Sequence, residues 1–324
     1  VVPVEVEQWC VRVALSEGEC VRKDLKEQGL LDPDLRPRTE GDTLLLPVTA
    51  DHGDGARARF TAIPIRSELP RHELIGGIAV MQDYDPDAAE RLLASRPTLH
   101  TVLLSEGPVE GQYRVRRFTV LAGLPTTRTR VTEYGHRFDI DLSLAYFSPR
   151  LSTERQRVLG QMPGEERVLD MFAGVGPFAI TLAARARTVV ACDLNPAAVT
   201  LLIGNLRMNR CRNVLPVLCD AAQIPSFLSS GFDRIVMNLP LSPASFLDQA
   251  SALVRPGGRI HLYALQSREG EMLPLLEGRG AAEIREHVVH TYSPTQWLAV
   301  YDIQIGEPSP SLVQGGVARK KSGT

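Results

Sequence analysis

Carboxylates and an amide stand at the ends of successive apolar runs, where a parallel sheet would gather them. "LDMFAGVGPFAITLA" sets Asp170 at the end of one run, with Gly174 and Gly176 just before a helical stretch. Glycine lets the chain turn tightly and lets a ligand approach the N-terminus of the helix, whose free N–H groups favour negative charge. Asp193 closes the next run, "TVVACD", where a carboxylate can accept both hydroxyls of a ribose. Asp220 follows "VLPVLC" and is placed to take the amine of an adenine. A fourth run, "RIVMNLP", stops at Asn238 with Pro240 two residues on. An amide has one acceptor and two donors, enough to grip the edge of a planar base, and Pro240 fixes the loop so that a carbonyl can face inward.

Two chemistries use such a layout. Gly174-x-Gly176-x-x-Ala179 matches the dinucleotide fingerprint, which keeps an NAD-dependent oxidoreductase open. S-adenosylmethionine enzymes use the same geometry with D-x-F-x-G-x-G, here opened by Asp170 and Phe172. They add an acidic residue at the third strand and a substrate motif at the fourth, and both are present in order.

The elements that must position these residues are legible as changes of pattern. From residue 158 to 306 strand-like runs alternate with helical ones, which predicts a doubly wound parallel sheet covered by helices on both faces. Residues 1–62 read as a small β-α-β domain. Its helix is expected to start at a capping box, Ser16 with Glu19, and to end near Gly29. "DHGDGARARF" reads as a loop and "SELPRHELIGG" as a linker. Residues 68–157 are expected to hold a helix and an antiparallel sheet, with "GQYRVRRFTVLAG" as one strand carrying Arg114 and Arg116 on the same face. Residues 307–324 have too little apolar surface to fold alone.

Composition narrows the classes. A chain of 324 residues with 44% apolar and 23% charged residues is of ordinary globular type, long enough for a sizeable core. The five cysteines form no C-x-x-C pair, so reduced thiols are expected rather than a disulfide framework, and no metal site is expected from the seven histidines. No run is long enough for a membrane span and the first residues do not order as a signal peptide, so the expected location is cytoplasmic. Net charge is −2, yet residues 112–157 hold nine arginines against four acidic residues, with six Tyr or Phe among them. Arginine forks onto phosphates and stacks on bases, so this segment reads as a nucleic-acid contact surface.

Taken together, "YFSPRLSTER", "DMFAGVGPF", "DLNPAAV", "MNLP" and the N-terminal "EGDTLLLPV" resemble the archaeal and eukaryotic tRNA (guanine-37)-N1-methyltransferase family. The likeness spans nearly all of the chain except the tail. It implies a Rossmann-like methyltransferase domain preceded by two smaller α+β domains, S-adenosyl-L-methionine as cofactor, and methylation of N1 of the guanosine just 3′ of the anticodon. It also implies roles. Glu154 of "RLSTER" would be the general base, because guanine N1 carries a proton that must leave. Arg114, or Arg116 two residues on, would stabilise the charge left on O6. Asn238 would hold the base edge and, with Tyr146, face the cofactor, while Pro240 shapes the pocket and Arg150 contacts the substrate. The partner is tRNA, through its anticodon loop and, by way of the N-terminal domain, its elbow. That domain has 12 acidic and 8 basic residues through Ile65, so shape must outweigh charge in such a contact. A monomer is expected. The nearest rivals are wybutosine-pathway enzymes, which transfer an aminocarboxypropyl group or methylate a modified guanosine further.

Overall fold

The computed structural model describes residues 5–51, 55–62, 69–107, 111–113 and 115–307. Two compact units divide between Leu69 and Pro70.

In the first unit, β1 (Glu5–Ala14), α1 (Gly18–Glu27), β2 (Arg38–Glu40), β3 (Thr43–Pro47) and β4 (Arg57–Thr61) form an antiparallel sheet in the order β2-β3-β1-β4 with one helix. The alternation in β1 and β3 buries Cys10, Leu45 and Phe60 on one side and packs Leu25 of α1 with Leu46 and Val48 on the other. The capping box does not form. Glu17 is the residue before the helix, with no side-chain cap, and Glu19 bonds Arg22 instead. The first helical residue packs closely: a Cβ on Gly18 would lie 2.6 Å from Leu44 Cδ2. The segment expected to be a loop contains β4, because an edge strand tolerates charges that a central one would not. Its Arg57 guanidinium lies 4.1 Å from the Trp9 ring centre.

The second unit opens with β5 (His72–Ile75), which occupies part of the expected linker, then β6 (Ile78–Met81), α2 (Pro86–Ser95), β7 (Thr101–Ser105) and β8 (Phe118–Gly123). These strands lie in order, but β6 and β7 are parallel rather than antiparallel. The intervening α2 carries the chain back to the starting end, so the next strand must run the same way. Strand β8 begins only at Phe118, so Arg116 precedes it and is not on a strand. Arg114 lies outside the described residues. A hairpin follows, β9 (Arg128–Glu133) and β10 (His136–Asp141), turned by Tyr134 and Gly135 at positive φ. Then α3 (Ser152–Gly160) leads into the large sheet.

That sheet contains β11 (Glu166–Asp170), β12 (Ala186–Asp193), β13 (Val214–Leu218), β14 (Phe232–Met237), β15 (Val254–Gln266), β16 (Ala281–Ser293) and β17 (Gln296–Ile305). Their order is β13-β12-β11-β14-β15-β17-β16, parallel through β15 and antiparallel for the last two. Helices α4 (Pro177–Leu182), α5 (Pro196–Met208), α6 (Ile224–Phe227) and α7 (Leu247–Leu253) make the crossovers. The order reverses between β11 and β14, and the carboxyl ends of those strands flank the crevice where doubly wound sheets bind ligands.

One hydrophobic core joins Ile75, Val80 and Phe138 to Phe178, Ala191 and Val300, so residues 68–157 and 158–306 share an interior. A polar seam fastens the hairpin. Asn205 of α5 and Asn209, the residue that caps its C-terminus one turn on, bond the N–H and C=O of Asp139 and Arg137, acting as a strand for the open edge of β10. Asn205 also donates to the Val175 carbonyl and is fully buried. Asn205→Leu is expected to destabilise the fold by about 2–3 kcal/mol, because the backbone groups it serves lose their partner. Hydrogen exchange should show this as faster opening of the Asp139 amide, with β12 amides still protected.

Candidate active site

The carboxyl ends of β11 to β14 open into a cavity of about 660 Å³, a size that suits a cofactor together with part of a substrate. Gly174, Asp193, Asp220, Asn238 and Pro240 all line it, as do Phe172 and Tyr146. Residues from four separate strand ends thus converge as their spacing predicted.

The glycine turn is built for close approach. Gly174 and Gly176 have φ of 55° and 93°, the left-handed region, and a Cβ on Gly176 would collide with Leu202 of α5. The Gly174 N–H donates to Asp193 Oδ2 at 2.7 Å, and the Asn195 N–H to Oδ1 at 2.9 Å. The carboxylate suited to a ribose is therefore aimed by the same turn that admits the ligand. Burial pushes the Asp193 pKa up, against these N–H groups. Asp220 accepts the Ala222 N–H at 2.9 Å, so it caps a short helical turn while facing the cavity. Phe172 packs edge-on against Phe246 at 5.2 Å, forming an aromatic wall. In the Asn238 loop the Leu239 and Pro240 carbonyls accept the Ser242 and Leu265 N–H groups, which pins the loop to itself and to β15 and leaves each carbonyl a second lone pair.

Asp170 sits behind the turn, outside the cavity lining. Its carboxylate is buried without a hydrogen bond of ordinary geometry, and its pKa is raised to about 7 by burial, with Asp193 adding to the rise and the Phe172 and Ala179 N–H groups opposing it. The unfolded chain ionises this group near pH 4, so the folded state binds one more proton between about pH 4 and 7. Stability is therefore greatest below that window and declines through it, by on the order of 4 kcal/mol at completion. Asp170→Asn is expected to unfold at higher temperature than the parent at pH 8, with the gap closing toward pH 4. Thermal melts across that range check it.

Glu154 is also buried, but its carboxylate lies behind the wall rather than in it. Arg157 binds both its oxygens, at 2.7 and 2.8 Å, and the Tyr263 hydroxyl donates to Oε1 at 2.7 Å. Leu151 and Arg155, on either side of it in the chain, do line the cavity. Arg116 lines both the main cavity and a smaller neighbour of about 60 Å³, and its Nε is buried with no hydrogen-bond partner. Arg150 lines only the smaller one, paired with Glu73 at 3.0 Å and lying 5.8 Å from the Tyr292 ring centre. Of the arginines that coloured this segment basic, 128, 130, 150, 155 and 157 are all paired with carboxylates. Folding thus pairs five of the nine arginines counted there, while the Arg128 and Arg130 side chains stay exposed.

Arg155, Asn195 and Tyr292 are among the lining residues that sequence reasoning did not single out. Arg155 is buried against Glu133 at 2.6 Å. Its signal was adjacency to Glu154 in "STER". Asn195 caps α5 and donates to the Leu144 carbonyl at 2.6 Å, tying the loop before α3 to the cavity. The Asn-Pro pair in "DLNP" marks that cap. Tyr292 arrives from the end of β16, and no local pattern announces it.

Similarity to known proteins agrees with this geometry. The family description "TRM5/TYW2 methyltransferase domain" matches residues 129–274, and "tRNA methyltransferase 5 N-terminal domain" matches residues 10–56. The tRNA (guanine(37)-N(1))-methyltransferase Trm5b of Pyrococcus abyssi is 33% identical over 91% of this chain and 98% of its own. The chain belongs to the TRM5/TYW2 methyltransferase family. The crystal structure of that Pyrococcus enzyme superposes on this family member with a TM-score of 0.73, covering 92% of this chain and 99% of its own at 32% identity. A solved complex of aTrm5 with tRNALeu also gives 0.73, at 27% identity, covering 92% of this chain and all of its own. The tRNA 4-demethylwyosine(37)-methyltransferase of Saccharolobus solfataricus is 31% identical over 67% of this chain and 84% of its own. Membership removes the NAD-dependent oxidoreductase reading, so Gly174 and Gly176 belong to a methyltransferase turn.

Proposed function

We infer that this chain is a tRNA (guanine-37)-N1-methyltransferase that uses S-adenosyl-L-methionine. The observation that carries this reading is the convergence of the Gly174 turn, Asp193 and the Asn238-Leu239-Pro240 loop on one cavity, in a chain similar along almost its full length to Trm5b. The cavity suits the cofactor. Left-handed glycines leave room beside a helix N-terminus, Asp193 is aimed for a ribose, Asp220 for the adenine amine, and Phe172 offers an aromatic wall. By resemblance Asp170 belongs to the cofactor site, where its carboxylate, buried behind the turn, would suit the positive charge of the cofactor's methionine end. When bound, S-adenosylmethionine supplies an electrophilic methyl group.

The remaining work falls to the protein. Asn238 holds the guanine edge, Pro240 shapes the loop, and Tyr146 closes the cofactor side. Glu154 takes the N1 proton, after turning from its buried position toward the cavity as the base enters. An arginine stabilises the charge on O6. Arg114 has this role by resemblance, and the unpartnered Nε of Arg116 supports a share for it. Arg150 contacts the substrate through the smaller cavity beside it. Because N1 lies within the pairing edge, the base leaves its stack before reaction. We assign residues 1–62 to recognition of the tRNA elbow, 68–157 to RNA contact and 158–306 to catalysis, in a monomer acting in the cytoplasm. Among the described residues no helix is long and apolar enough to cross a membrane.

Methyl transfer from labelled S-adenosylmethionine to an unmodified tRNA transcript, followed by nucleoside analysis, tests the reading. 1-Methylguanosine is expected. A second reading, methylation of a modified guanosine, is favoured by the likeness to the Saccharolobus enzyme. The same assay on tRNA already carrying that modification separates the two. An aminocarboxypropyl adduct, or no product on either tRNA, would overturn both.

A further inference from the structure

Behind the cavity wall six side chains form an unbroken chain beneath the sheet. Glu154 is bound by Arg157, whose other edge binds Asp302 at 2.6 and 3.1 Å. Asp302 also faces His261 Nδ1 at 2.6 Å and accepts Gln161 Nε2 at 3.0 Å. His261 Nε2 lies 2.6 Å from Arg234 Nη1, and Arg234 binds Glu166 at 2.6 and 3.0 Å. A guanidinium can only donate, so His261 Nε2 accepts and the ring proton sits on Nδ1, donated to Asp302. Burial, which lowers the His261 pKa, agrees with this neutral form.

The charges then do not balance. Glu154, Asp302 and Glu166 contribute three negative charges, Arg157 and Arg234 two positive ones. One proton would make the chain neutral. Asp302 is a poor place for it. Burial alone would raise its pKa, but the bonds from His261 and Arg157 hold it well below the usual carboxylate range. Glu166 is locked to Arg234. Glu154 stands at the end of the chain, one residue from the cavity-lining Arg155, and shares its guanidinium with a competitor.

We propose that Asp302 and Tyr263 are positioning residues for the methyl-transfer reaction, setting how readily Glu154 leaves Arg157 and takes a proton. This rests on the reading of Glu154 as the base. Asp302 grips Arg157 with two bonds of its own, so the guanidinium keeps a partner when Glu154 is protonated or turns away. Without that second carboxylate, release would strand a largely buried charge. Tyr263 acts in the opposite sense, because its hydroxyl donates to the ionised form of Glu154 and favours it. Also nearby are the His287 imidazole of β16, 3.7 Å from Asp302, and the Arg155 guanidinium, which turns away to Glu133.

The test is single-turnover methyl transfer to a tRNA transcript as a function of pH, for the parent, Asp302→Asn, Tyr263→Phe and Glu154→Gln. Titration of the Glu154 carboxyl by 13C NMR runs alongside, in protein labelled at glutamate and assigned through Glu154→Gln. In Asp302→Asn the chain is neutral with Glu154 ionised, so the rate should fall by about 10-fold or more, and both the acid limb and the Glu154 titration should move to lower pH. Tyr263→Phe should move both to higher pH. Cofactor affinity and melting temperature identify a variant that is merely misfolded, and the NMR titration of whichever variant remains folded still decides. A slower Asp302→Asn whose acid limb and Glu154 titration stay in place would overturn the proposal. If Glu154→Gln remains fully active, the base reading fails, whereas the NMR shifts report separately whether Asp302 and Tyr263 govern Glu154.

Discussion

Glu154→Gln is expected to slow methyl transfer at saturating tRNA by about 10²–10⁴-fold, the usual contribution of a positioned base, while S-adenosylmethionine binds as before. The two effects separate because the carboxylate lies behind the cavity wall and its hydrogen-bond partners, Arg157 and Tyr263, are not among the residues that line the cavity. The amide keeps the size of the acid and can still accept from Tyr263, but it offers no charge to Arg157 and cannot take the N1 proton. Some stability should be lost with that ion pair, yet Asp302 still holds Arg157, which limits the loss. Single-turnover rates beside calorimetric cofactor affinity make the comparison. An unchanged rate would remove Glu154 from catalysis.

Asp193→Ala is expected to have the opposite signature, weakening S-adenosylmethionine by about 10–100-fold, the loss of hydrogen bonds to a charged acceptor. Beyond the ribose contact proposed for it, this carboxylate fixes the Gly174 and Asn195 amides, so the variant is expected to lose both that contact and the shape of the turn. The rate at saturating cofactor should recover much of the parent value, because the backbone bonds that pin the Asn238 loop, from Ser242 to Leu239 and from Leu265 to Pro240, do not involve Asp193. Equilibrium binding of the cofactor, measured without tRNA, checks this. Affinity equal to the parent's would mean that the ribose is held elsewhere.

Legibility in the sequence followed the range of the interaction concerned. The strand-turn-helix around Gly174 was plain because backbone geometry demands glycine at a left-handed position, and Asp193 and Asn238 were plain because each ends an apolar run. Local rules failed where packing overrode them. Ser16 and Glu19 spell a capping box, yet the helix begins at Gly18 after an uncapped Glu17, and Glu19 is taken by Arg22. The glycines and charges of "DHGDGARARF" spell a loop, yet the edge beside β1 takes its last residues as a strand. Composition gave a basic segment, but whether an arginine is available depends on which carboxylate folding brings to it. For Arg155 that is Glu133 and for Arg150 it is Glu73.

By itself the sequence determined the doubly wound sheet, the glycine turn, the order of the strand-end carboxylates and the amide that follows the fourth strand. These are set by residues within a few positions of one another, through backbone sterics and alternation. The tertiary structure alone decided that Tyr292 reaches the cavity, that Arg116 stands before its strand with an open Nε, and that Glu154 is held behind the wall. Arg157 meets Asp302 across 145 residues of chain, and no pattern in either neighbourhood encodes that meeting. It exists because β17 inserts antiparallel between β15 and β16, which brings the side chains of distant strands under one helix.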